Sequence, residues 1–292
     1  MLATYVDPSM RICCREICRP DVKGIIDLLT SGFGNRSRES WERALGRLSE
    51  HATPPGFPKY GYLLECNGSP VGVILLIFSS VSIKGKRRIR CNVSSWYVQP
   101  AFRSYAAMLG TRALKHKSVT YFNVSPRHQT VPILEAQGYS RYCNGWFVSI
   151  PALSAHSYGP TVEVVARETC SGEDLQPHEI ELLLDHAGYG CLSVICSWQN
   201  RRYPFVFAPR WKYRVVPLAQ LVFCRDRADF VRFAGALGRF LIGHGFPLVV
   251  LDANGPVQGL IGMYVDHRPK YFKGSYPPTL GDLAYSELAM FS

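Results

Sequence analysis

His128 stands first among the groups that could do chemistry in this chain. It lies between an apolar run ending at Val124 and the next amphipathic segment, and an imidazole exchanges protons near neutral pH. The same position also suits a surface or helix-capping histidine. Tyr97, Tyr121 and Tyr139 could act as acids, although aromatics at strand spacing more often fill a core. The ten cysteines include no Cys-x-x-Cys pair, which argues against a zinc site. Several lie in apolar runs, where Cys behaves as a small hydrophobe. No Ser-His-Asp set, P-loop or dinucleotide glycine fingerprint occurs.

Charge narrows the ligand class. The formal net charge is +11. Residues 1–150 hold 20 Lys/Arg against 9 Asp/Glu, and residues 151–292 hold 13 of each, so the whole excess sits in the first half. A basic half beside a neutral one predicts an anionic ligand for the first. A phosphate-rich cofactor, nucleic acid and a membrane surface all satisfy that, and Lys84–Arg90 also reads as a solvated hairpin turn. The 292 residues, 47% hydrophobic and 19% charged, fit two ordered domains. No apolar run approaches the ~18 residues of a membrane span; the longest, Val71–Phe78, is strand-sized. The start shows no basic-then-apolar leader. Free thiols fit a reducing compartment, so the expected location is the cytoplasm.

The elements that must position these groups follow from periodicity. Arg11–Ile17 reads as a strand. Pro20-Asp21 opens a helix with Val22, Ile25, Ile26 and Leu29 on one stripe, ended by Gly32. Trp41, Ala44, Leu45 and Leu48 mark a second helix. Tyr60–Cys66 and Pro70–Ser80 form a hairpin on Asn67-Gly68, a turn whose residues need φ > 0. Arg90–Val98 is a strand, Tyr105–His116 a helix, Val119–Val124 a strand and Thr130–Gln137 a short helix. A last strand is expected near Tyr142–Ile150. Pro151–Pro160 reads as a linker. The second half repeats the order: helix 177–186, strands 191–197, 203–207 and 218–224, helix 228–242, strand 246–251 and a closing strand, Asp282–Met290.

That order resembles the GNAT (GCN5-related N-acetyltransferase) superfamily. Arg11–Leu29 is similar to its opening strand and helix. Ser94–Leu109 is similar to its signature, in which a strand ends in Val-x-Pro-x-x-Arg and a loop starts a helix. Ile133-Leu-Glu-Ala-Gln-Gly-Tyr139 resembles its closing motif. The resemblance covers the first half; in the second, mostly Leu218–Leu251 matches. It implies an α/β fold of two tandem GNAT-like domains, each a mixed, mostly antiparallel twisted sheet flanked by helices. The expected division is 1–150 for an acyl-CoA-binding domain, 151–160 for the linker and 161–292 for a degenerate copy.

The resemblance also implies a site. Acetyl-CoA or another acyl-CoA would lay its pantetheine arm beside the strand at Tyr97 and Val98. Its pyrophosphate would sit on the helix start formed by Arg103, Ser104, Tyr105, Ala106, Ala107 and Met108, where free amides and the dipole favour anions. Asn123 and Ser125 would bond the thioester or pantetheine amides. The chain departs from the family's Arg/Gln-x-x-Gly-x-Gly/Ala: Ala106 and Met108 replace glycines that let backbone approach phosphate. The strand Cys91–Tyr97 has no carboxylate or histidine to serve as the family's base, which leaves Ser94 or Asn92 to order a water and His128 as a substitute. The family's general-acid Tyr maps onto Leu134. In the second copy, Arg225-Asp-Arg-Ala-Asp229 puts two carboxylates where a diphosphate would go. Acyl transfer to an unidentified amine is therefore the first expectation and a non-catalytic acyl-CoA-binding or scaffold protein the second. Nucleic acid is not the expected partner, and a homodimer is left open.

Overall fold

The computed structural model describes residues 11–83, 85–154, 159–166, 174–212 and 215–291. In chain order the elements are β1 (Ile12–Glu16), α1 (Val22–Gly32), α2 (Arg38–Glu50), β2 (Gly61–Cys66), β3 (Ser69–Ile83), β4 (Lys86–Val98), α3 (Ala106–Ala113), β5 (Thr120–Asn123), α4 (Val131–Ala136), β6 (Ser140–Cys143) and β7 (Gly145–Ser149). Then come β8 (Thr161–Val164), α5 (Pro177–Gly188), β9 (Leu192–Trp198), β10 (Arg201–Lys212), β11 (Val216–Cys224), α6 (Arg227–Gly243), β12 (Leu248–Ala253), β13 (Gly262–Val265), β14 (Lys270–Lys273) and α7 (Glu287–Met290). The strands form two mixed seven-stranded sheets flanked by helices, ordered β1-β2-β3-β4-β5-β14-β6 and β13-β7-β12-β11-β10-β9-β8. The described residues divide into two compact units: those up to Ser80 with 88–121 and Phe291, and those within 81–87 and 122–290.

In the first unit, the apolar stripes do what their spacing requires. Ile25, Ile26, Leu28 and Leu29 of α1 are buried, as are Trp41, Ala44, Leu45 and Leu48 of α2. The runs Tyr62–Leu64 and Val73–Phe78 of the β2–β3 hairpin are buried as well. Each such side chain contributes roughly 1.5–3 kcal/mol by leaving water. Asn67 and Gly68 sit at φ 49° and 82°, the left-handed pair that a two-residue hairpin turn demands. Ser37 caps α2, accepting from the Ser40 amide at 3.3 Å.

The second unit has its own core. Phe230, Phe233, Leu237 and Leu241 of α6 meet Phe205, Phe207, Leu221, Val249 and Leu251. Phe205 and Phe207 stack at 6.3 Å. Gln199 and Asn200, at φ 49° and 57°, turn β9 into β10.

Three expectations are corrected. The basic run after Lys84 is strand rather than turn: β4 already begins at Lys86, and Arg90 is buried with its Nε 3.4 Å from the Ser79 hydroxyl. Lys84 itself lies outside the described residues. The single strand expected near 142–150 is broken at Asn144, whose amide donates to Asn254 Oδ1 at 2.6 Å. β6 then pairs with β14, while β7 pairs with β12 and β13. The closing strand expected over 282–290 shrinks to a short piece whose one bridge joins Asp282 to Phe223. Tyr285 then turns left-handed at φ 54° and α7 follows. The strands β8, β13 and β14, four residues each, were not expected from the sequence. Of the expected linker, Pro151–Leu153 forms a 3-10 turn, and residues 155–158 lie outside the described residues.

Candidate functional site

β4 carries the backbone of the site in the first unit. Cys91 to Ser94 are buried; Ser95 follows at φ 49° inside the strand. A serine held left-handed in a strand is strained, breaks the pleat and re-aims the residues after it. The Ser94 and Ser95 hydroxyls share a hydrogen bond at 3.0 Å. Nothing in the sequence singled out Ser95, because its type is ordinary and only its dihedral is not.

Past Ser95, β4 runs under two glycines that make room for it. A Cβ on Gly32 would lie 2.5 Å from the Tyr97 ring, so the residue expected merely to end α1 also lets that ring close on the helix. A Cβ on Gly72 would meet Val98 at 3.0 Å, Leu64 at 3.2 Å and Leu109 of α3 at 3.3 Å. The Tyr97 ring begins an aromatic chain: Phe33 at 6.1 Å, then Trp41 at 5.5 Å from Phe33, then Phe291 at 6.3 Å from Trp41. The Arg36 guanidinium lies 4.7 Å above the Trp41 ring and donates to the Phe291 carbonyl at 3.0 Å.

Beyond Val98 the chain makes a 3-10 turn over Pro100–Tyr105 and enters α3. Tyr105 is the N-cap, at φ −93° and ψ 0°; its side chain caps nothing, and no acid stands in the first turn. Arg103, Ser104, Ala107 and Met108 are exposed, and Tyr105 and Ala106 are half-buried. Met108 is 39% exposed, so it projects to solvent instead of filling the turn. The start of α3 is thus uncapped by side chains, free of acids and beside the exposed Arg103, which favours an anion there, although the Ala106 amide already donates to the Arg103 carbonyl as the 3-10 turn runs into the helix. Ser94, Tyr97, Val98 and Arg103–Met108 lie on one continuous path from strand to turn to helix.

Asn123 and His128 belong to the second unit. Asn123 Oδ1 accepts from the Ser125 amide at 3.3 Å, and the Ser125 hydroxyl donates to the Glu287 carboxylate. His128 is exposed and opens a 3-10 turn. Leu134 is 2% exposed, a core residue whose side chain has no proton to give.

The second unit also leads a strand through a turn into a helix, with different chemistry. β11 and β12 run parallel over Leu218–Gln220 and Leu248–Val250, then part. β11 carries an extra residue, Val222, opposite the Val206–Phe207 step of β10, which bends it away. The start of α6 is closed: Asp226 accepts from the Ala228 amide at 2.9 Å. Arg225 turns back to Glu179, at 2.5 Å and 2.6 Å. Burial raises the Glu179 carboxyl, but the Arg225 hydrogen bonds and the Gln176 amide outweigh it, and its pKa falls below 4.5. Burial, reinforced by Asp226, raises Asp229. A diphosphate has no place there. Among the described residues, no cluster of His, Cys, Asp or Glu could hold a metal, and no helix is long and apolar enough to cross a membrane.

Two seven-stranded mixed sheets flanked by helices have the fold of solved GCN5-related N-acetyltransferases and fit a tandem arrangement of it. A GCN5-related N-acetyltransferase from Anabaena variabilis matches with a TM-score of 0.59 at 11% identity, over 90% of this chain and 72% of that one. One from Kribbella flavida matches at 0.57 and 14%, over 90% and 71%. A proposed acetyltransferase from Pyrococcus horikoshii matches at 0.59 and 13%, over 95% of both chains. No family model and no curated relative matches the sequence.

Proposed function

We propose that the first copy, residues 1–150, binds a CoA thioester and passes its acyl group to an amine, and that residues 161–292 are a degenerate second copy. The carrying observation is the uncapped, acid-free start of α3 beside Arg103. Acyl transfer in general is the chemistry of the acetyltransferases that share the fold. Arg103 and the amides near Ser104–Met108 would hold the diphosphate, and the backbone at Tyr97 and Val98 would line the pantetheine. The thioester, acetyl-CoA or another acyl-CoA, supplies the activated carbonyl. The amine nitrogen bonds to that carbon, the C–S bond breaks, and the proton leaves nitrogen as the thiolate is protonated. In this reading Ser94 or His128 transfers the proton, and a variant of each tests it.

The experiment is a thermal-shift panel of CoA esters of graded chain length on wild type and Arg103→Glu. A saturable rise in Tm with at least one ester is expected, with apparent affinity reduced about tenfold or more in the variant, which swaps a favourable charge for a repulsive one at the helix start. No shift with any ester sinks the reading. The buried Leu134 and the strand Cys91–Tyr97, free of carboxylate and histidine, favour a second reading: an acyl-CoA-binding protein without turnover. A mass-spectrometric screen of mixed amines separates the two, since any acylated amine removes the second.

A further inference from the structure

The parting of β11 and β12 leaves backbone groups on β11 with no strand to meet. After Gln220 the two strands no longer pair, and β12 continues against β7 through Ala253. The Gln220 side chain marks the fork by donating to the Val250 carbonyl at 3.1 Å. At and beyond the extra residue, the Val222 carbonyl accepts from the Leu283 amide at 2.7 Å, and the Cys224 amide donates to the Gly281 carbonyl at 3.0 Å. Phe223 and Asp282 form the antiparallel bridge between them. A short piece of the chain's own C-terminal region thus supplies the missing strand.

The piece is shaped for that position and held there. Gly281 sits at φ 96°, and a Cβ on it would lie 2.8 Å from the Cys224 sulfur, so only glycine fits both the backbone and the space. Leu283, Ala284 and Ser286 are buried. The Tyr285 amide donates to His186 Nε2 at 3.1 Å, and its hydroxyl donates to Asp185 at 2.8 Å. The other ring nitrogen, Nδ1, faces the Leu182 carbonyl at 2.7 Å. That pattern requires a neutral imidazole with its proton on Nδ1.

We infer that residues 281–283 are a built-in strand that closes the split of the second copy, so that an extended ligand cannot lie along β11 there and each chain offers one site, not two, to a CoA thioester. The closed split stands on the hydrogen bonds of the second unit alone. The count of one ligand per chain rests in addition on the function proposed above.

Amide hydrogen exchange on the wild-type chain tests the closure directly. The amides of Cys224 and Leu283 should exchange as slowly as those in the core of β11; exchange within the dead time of the experiment, while the β11 core stays protected, overturns the inference. A second arm uses Gly281→Val, in which strain and collision expel the strand. Cys224, 3% exposed in the wild type, should be modified by N-ethylmaleimide at least tenfold faster in the variant, read by peptide mass spectrometry. Equal protection in a variant with native circular dichroism overturns the inference, and if the variant fails to fold, the exchange arm on wild type decides. Native mass spectrometry with acetyl-CoA supplies the count. One bound molecule is expected, and two overturn the proposal. A chain that binds none, with Cys224 and Leu283 protected, overturns the CoA-thioester reading and with it the count, while the closed split stands.

Discussion

Arg103 and Arg225 each lie just ahead of a helix and end in opposite places. Arg103 is exposed ahead of a helix with no acid in its first turn. Arg225 is folded back onto Glu179, with further bonds to the carbonyls of Arg202 at 2.9 Å and Asp174 at 2.8 Å. A guanidinium clamped on both forks is spoken for, and it leaves no charge for a ligand. The clamp makes a pH prediction. The native Glu179 carboxyl titrates below its ordinary 4.5, so its stabilisation is full above about pH 4.5 and is lost as pH falls through the native value. Glu179→Gln should cost roughly 3 kcal/mol at neutral pH, because it strands a partly buried arginine. The cost should shrink as pH drops below 4.5, where wild type loses the same pair. Urea unfolding followed across pH 3 to 7 checks this, and a cost that does not vary with pH refutes it.

At the scale of elements, the first site depends on how closely α3 lies on the sheet. Gly72 on β3 is what permits it, since a Cβ there already touches Val98, Leu64 and Leu109 at 3.0–3.3 Å. Gly72→Val adds two methyl groups to that contact and should destabilise the fold by about 1–3 kcal/mol through overpacking. It should also weaken any CoA ester held at the start of α3, because the helix must move away. A lowered Tm with unchanged ligand affinity would separate the packing of α3 from the binding site. The strands show the same dependence on neighbours. The hairpin β2–β3 was legible from Asn67-Gly68 alone, whereas the break at Asn144 depends on Asn254, more than a hundred residues away.

For the molecule as a whole, the charge is the quantity with a consequence. All of the +11 excess belongs to residues 1–150. A polyphosphate ligand bound near Arg103 therefore meets a favourable field that salt screens. The dissociation constant for acetyl-CoA should rise several-fold between about 0.05 M and 0.5 M salt, since the Debye length falls severalfold over that range. Isothermal titration calorimetry at three salt concentrations measures it; an affinity insensitive to salt would mean that the diphosphate is not bound through this field.

Local and periodic features determined much of this protein from its sequence alone. The stripes of α1 and α2, the helix α6, the turn at Asn67-Gly68, and the strand-turn-helix around Arg103 each depend on residues within a few positions of one another, and each formed with ends shifted by a few residues. Tertiary structure decided what depends on distant partners. The left-handed Ser95 is strain that surrounding packing imposes and no residue type announces. The division of 140–149 between two sheets is set by β14 and β12, whose own sequences carry no signal of pairing. The tail at 281–283 reads as an ordinary strand end until β11 supplies the edge it joins. Propensity acts along the chain; strand pairing acts across it, and only the folded chain brings those edges together.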